Sequence, residues 1–75
     1  MHKVLKFETK EDLYRFSELA SEEDFNIYIS TTSGQLDAKS LLALLTLLGK
    51  EVNIVAPDHV NAAAFQEFLD KYNSK

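Results

Sequence analysis

The sequence predicts a small α+β domain of element order βαββαβα, an antiparallel sheet with its helices packed on one face. Three features predict it: short runs that alternate apolar and polar residues, segments whose apolar residues recur at a helical period, and turn-forming residues between them.

The run from Lys3 to Phe7 ends before Thr9, where the period changes, and reads as a first strand. Thr9 and Asp12 have the spacing of a capping box, with Asp in place of the usual Glu or Gln. Glu11 and Asp12 suit the positive end of a helix dipole, so a helix is predicted from about Lys10. Leu13, Phe16 and Ala20, with Leu19 beside them, give it one stripe for a core, and Glu22, Glu23 and Asp24 close it. Phe25, Ile27 and Ile29 alternate with Asn26, Tyr28 and Ser30, the period of a strand buried on one side. Thr31 to Gly34 supplies a turn, and Gln35 to Ala38 returns as a short antiparallel partner.

Ser40 precedes a leucine-rich run, Leu41 to Leu48, that Gly49 ends, which predicts a short helix of two turns with a Ser N-cap. Its inward stripe is expected to be Leu41, Leu44, Leu45 and Leu48, leaving Leu42 and Leu47 on other sides. Glu51 to Ala56 alternates through Val52 and Ile54 as a last strand, which Pro57 stops. Asp58 is expected to cap a final helix whose buried stripe is Phe65, Phe68, Leu69 and Tyr72, with Ala62 one turn earlier on the same side. No internal repeat, linker or low-complexity tract interrupts the chain.

The 75 residues suit a single domain, residues 1–75, near the lower size limit for an unaided hydrophobic core. With 45% hydrophobic residues the chain can fold, yet it has little room for a buried catalytic pocket. It has no Cys, hence no disulfide framework and no thiolate metal site, and this fits a reducing compartment. No apolar stretch has the length of a signal peptide or a membrane span, so a cytoplasmic protein with no membrane partner is expected. A net charge of −4, with no basic cluster to offset it, disfavours nucleic acid. Other proteins are the expected partners.

The stretch IYISTTSGQLDAKSLLALLTL, Ile27 to Leu47, resembles HPr, the histidine-containing phosphocarrier of the bacterial sugar phosphotransferase system, and its relatives. The motif Ala38-Lys39-Ser40-Leu41 looks like the family's entry to its second helix, and element order and length extend the resemblance over the whole chain. It implies an open-faced sandwich, a four-stranded antiparallel sheet with three helices on one side. The family's chemistry uses a His at the start of the first helix, closely followed by Arg and Pro. Aligned without gaps from Ser40, this chain places Thr9, Glu11 and Asp12 at those positions. A phosphoryl relay needs a nitrogen nucleophile and cations or amides around three charged oxygens, whereas here two carboxylates oppose the helix end's attraction for phosphate. The resemblance therefore implies a degenerate phosphocarrier site.

Other chemical candidates have simpler readings. His2 sits near the terminus and His59 in a junction before the last helix, and both read as surface residues. No spacing such as HExxH supports a metal, and no cofactor is expected. Glu18, Glu22, Glu23 and Asp24 read as a solvated helix end sooner than as a basic partner's site. Ser40 has a sufficient role as an N-cap. In much of the HPr family, however, the matching Ser is phosphorylated by a dedicated kinase, and the product binds a transcription regulator. One branch has lost the His and kept this Ser, and the chain resembles that branch. A phosphate there would meet helix amides and the charge of Lys39.

The short helix gives a signal independent of the resemblance. A surface helix cannot bury its whole circumference, so leucines all round it imply either cover or an exposed apolar patch. Lys39, Leu42, Leu45 and Leu47 are the protein-binding candidates, and the family docks proteins on the matching helix. The expected function is thus an HPr-like, non-enzymatic binding or regulatory module, with Ser40 as its candidate phosphorylation site. A Ser kinase or a transcription regulator are the partners the resemblance suggests. Two alternatives stay open: a divergent phosphotransferase component using His59 or an auxiliary protein, and a structural domain that forms a homodimer through the apolar helix.

Overall fold

A computed structural model describes residues 2–74. Its elements run β1 (His2–Lys6), α1 (Lys10–Glu22), β2 (Tyr28–Thr31), β3 (Gly34–Asp37), α2 (Leu41–Leu44) with a 3₁₀ turn at Leu45–Leu47, β4 (Glu51–Val55) and α3 (Ala62–Asn73). The sheet order is β1-β4-β2-β3, and every neighbouring pair is antiparallel. This is the predicted four-stranded open sheet with three helices.

Strand alternation divides the sheet into two faces. Leu5 opposes Val52, while Ile54 and Leu36 both oppose Ile29, so these five residues share the face that the helices cover. Val4, Asn53, Ser30 and Gln35 form a row on the other face, beside Val55, Tyr28 and Asp37. The sequence placed Phe7 in the first strand. It lies one residue beyond β1, where it is fully buried and its carbonyl accepts from the Gly49 amide at 2.7 Å. His2, read as a surface residue near the terminus, is exposed and opens β1, opposite Val55 of β4.

The core between sheet and helices is aromatic. Phe16 of α1 meets Phe7, Phe68 and Tyr72 edge to face, with ring centroids 5.1, 5.3 and 5.3 Å apart. Such geometry sets the positive ring edge against the negative face and adds to the burial of the rings. The predicted α1 stripe of Leu13, Phe16 and Ala20 is buried, as is the α3 stripe of Phe65, Phe68, Leu69 and Tyr72. Ala62 is exposed, contrary to expectation, because the helix has only just begun there.

Burial, seconded by the nearby Asp12 carboxylate and opposed by Arg15, holds the Tyr72 hydroxyl above its ordinary pKa. The unfolded chain therefore ionises first, and stability present below about pH 10 should fall as pH rises through the folded value. Urea midpoints measured across that range should drop less in Tyr72→Phe than in the native protein.

Two caps depart from the sequence reading. Asp58 does not cap α3: it and His59 lie in a turn in which the Val60 amide donates to the Pro57 carbonyl at 3.0 Å. Asn61 caps instead, its side-chain oxygen accepting from the Ala63 amide at 2.7 Å. Val60 is buried and anchors that turn, which delays the helix by three residues relative to a cap at Asp58. Ser40 occupies the N-cap position of α2, and its carbonyl accepts from the Leu44 amide at 3.1 Å, but its side chain makes no capping hydrogen bond. Entry to α2 is organised by Asp37, whose carboxylate accepts from the Lys39 amide at 2.8 Å and whose carbonyl accepts from the Ser40 amide at 3.0 Å.

Candidate functional site

The leucine-rich segment is α-helical for one turn only and then tightens. At three residues per 3₁₀ turn, residues three apart eclipse, so Leu47 lies below Leu44. Both are buried, Leu44 completely and Leu47 with 5% of its surface exposed. This overturns two expectations. Leu47, proposed as a binding residue, belongs to the core, and Leu48, expected in the inward stripe, is 39% exposed. The physical reason is the change of period at Leu45, followed by extended backbone at Leu48 (φ −56°, ψ 127°). Gly49 then turns with φ 78°, the left-handed region that suits glycine, and its amide is committed to Phe7. The segment cannot continue as a helix past that point.

Leu42 is 81% exposed, the extreme among the large apolar side chains of the described residues. Leu41 and Leu45 are half-buried, and Leu45 packs on the core's edge. Lys39 and Ser40 are exposed just before the helix, and Ser40's hydroxyl is not occupied as a cap. Helix α2 packs against α1 and β3, which fixes Leu44 inward and leaves Leu42 outward. Along this segment Lys39, Ser40, Leu42 and Leu48 are exposed and Leu45 is half-buried, whereas Leu47 belongs to the core.

The first turn of α1 is built for capping. The Thr9 hydroxyl accepts from the Asp12 amide at 3.1 Å, half of the predicted capping box. Thr9 and Glu11 are exposed, and Asp12 is half-buried. The Asp12 carboxylate pairs with Arg15 at 3.3 Å. Arg15, the chain's single arginine, also donates to the Tyr72 carbonyl near the end of α3 and lies 4.5 Å from the centre of the Tyr72 ring. Sequence reasoning missed this clamp because its residues are far apart in the chain. The guanidinium thus braces α3 against α1 while pairing with one of the two first-turn carboxylates, and Glu11 stays exposed. Thr9→Ala should cost about 1 kcal/mol in denaturant melts through loss of the cap, with partner binding intact.

Among the described residues, no group of three or more His, Asp or Glu side chains is placed to hold a metal ion. No helix among them is long and apolar enough to cross a membrane.

One solved structure, that of HPr-C-His from Thermoanaerobacter tengcongensis, is similar in fold with a TM-score of 0.71. The match covers 99% of this chain and 92% of that one at 18% sequence identity. The likeness shows an HPr-like fold. No protein-family description matches the chain, and no curated protein matches its sequence.

Proposed function

We propose that this chain is an HPr-like, non-enzymatic protein-docking or regulatory module that does not carry phosphoryl groups and that meets its partner through α2. The observation that carries the reading is Leu42, 81% exposed on a segment whose other face is locked into the core by Leu44 and Leu47. A large apolar side chain displayed from a rigid base loses little conformational freedom on binding and gains burial, worth about 1.5 to 3 kcal/mol for a leucine. Leu45, half-buried, and Leu48, exposed, follow Leu42 at three-residue spacing, and the exposed Lys39 precedes the helix.

The non-carrier half rests on Thr9, Glu11 and Asp12 at the start of α1. Incubation with enzyme I and phosphoenolpyruvate should leave the chain without an acid-labile phosphoryl group, and an adduct on His2 or His59 that transfers onward would refute this half. The docking half is tested by parallel affinity capture from the host extract with the native chain and with Leu42→Asp. A protein held by the former and released by the latter supports it, and equal capture by both overturns it.

Ser40 is the regulatory candidate. Its hydroxyl stands exposed beside Lys39 without a capping role, so a phosphate could be added there without breaking a structural bond. Phosphopeptide mapping from host cells should find Ser40 in preference to Ser17, Ser21, Ser30 or Ser33. Ser17 is buried, which already removes it from ready access.

A further inference from the structure

The strand order β1-β4-β2-β3 leaves the sheet two edges. β3 is four residues long, has α2 packed against it and ends on a carboxylate, Asp37. β1 is hydrogen-bonded to β4 alone, so one side of its backbone has no strand partner among the described residues. Such a side presents amides and carbonyls in a row, a template for a further strand. β1 reads HKVLK, two lysines and a histidine with no acid, in a chain whose net charge is −4. Lys3 has no ion-pair partner among the described residues, and Lys6 meets only the exposed Glu8. On the open face of the sheet Val4 stands 52% exposed between His2 and Lys6. On the helix side, His2 and Lys3 border a groove of about 210 Å³ whose other wall is Ala62, Phe65, Gln66 and Leu69 of α3. The Gln66 amide is occupied, donating to the Asp70 carboxylate at 2.9 Å, so what α3 offers the groove is apolar. That volume falls below the roughly 300 Å³ at which small-molecule pockets begin and suits a single side chain.

We infer that β1 is a docking edge for an extended segment of another protein that carries carboxylates and one large apolar side chain. Directly opposed residues of paired strands point to the same face, so the incoming residue opposite Lys3 points toward α3 and the groove. Its neighbour meets Val4 on the open face, and a carboxylate opposite Lys6 completes the match. A second copy of the chain fits less well, because antiparallel pairing centred on Val4 sets His2 against Lys6 of the other copy twice over. Lysines on an edge ward off self-association. The same lysines admit a strand that brings carboxylates. The inference is independent of the reading of α2.

The test selects random peptides displayed on phage against the native chain, against Lys3→Glu with Lys6→Glu, and against Ala62→Leu, which fills the groove from an exposed position. Circular dichroism first verifies that all three are folded. The native chain should enrich peptides of net negative charge with a large apolar residue, and synthetic copies should bind each variant about tenfold more weakly. N-methylation of alternate peptide amides should abolish binding to the native chain in one of the two sets and spare it in the other, since only alternate amides of a strand face its partner. This arm needs no variant. Peptides that tolerate both sets, ignore Ala62→Leu, or are neutral or basic would overturn the proposal, as would the absence of any binder. Light scattering that grows with concentration of the native chain, and that a selected peptide reverses, would assign the edge to a second copy instead.

Discussion

Phe16→Ala should remove a large share of the domain's stability, about 3 to 5 kcal/mol in urea or thermal melts. Phe16 is fully buried and its ring meets three other aromatic rings, from the end of β1 and from α3. Truncation deletes the transfer free energy of the ring and leaves a cavity that Phe7, Phe68 and Tyr72 cannot all close, because each is fixed to a different backbone position. A domain of this size has only on the order of 4 to 11 kcal/mol to lose. The variant is therefore expected to melt at a much lower urea concentration, and a loss below about 1 kcal/mol would mean that the aromatic cluster is not the centre of the core.

Leu44→Ala and Leu42→Asp, two residues apart, should have opposite consequences. Leu44 has no exposed surface, and its truncation should cost about 2 to 5 kcal/mol of stability. Leu42→Asp should change the melt by no more than about 0.5 kcal/mol, as expected for a side chain already in water. Partner affinity should nonetheless fall by at least about 2 kcal/mol, roughly thirtyfold, since the complex would bury an unpaired carboxylate. Titration calorimetry with the captured partner and a urea melt of the same sample separate the two quantities. Unfolding of Leu42→Asp would show Leu42 to be part of the core despite its exposure.

The contrast between these leucines also shows how far the sequence could be read. Periodicity found the buried stripes of α1 and α3 because both helices run long enough for a 3.6-residue repeat to be unambiguous. It failed along Leu41 to Leu48, where every position but Ala43 and Thr46 is a leucine, so composition could not reveal the change to a 3₁₀ turn that buries Leu47 and exposes Leu48. Thr9 was legible as a cap because the first helix follows it directly. Asp58 was misread because Val60 has to be buried before α3 can start, a tertiary demand, although Asn61 before three alanines was itself a readable signal. Ser40 carries the right residue type at the right position and still makes no cap, since Asp37 has already organised that turn. The Arg15 clamp on Tyr72 joins residues that only the completed fold brings together.

The most direct measurement of the central claim is amide chemical-shift mapping of the ¹⁵N-labelled domain, titrated with the protein that the native chain captures and Leu42→Asp does not. Shifts concentrated on residues 39–50, largest around Leu42 and Leu48, with β1 and the open face of the sheet unmoved, are the result expected of a docking surface on α2. Shifts centred on Val4, Tyr28 and Val55, across the face opposite the helices, would contradict it.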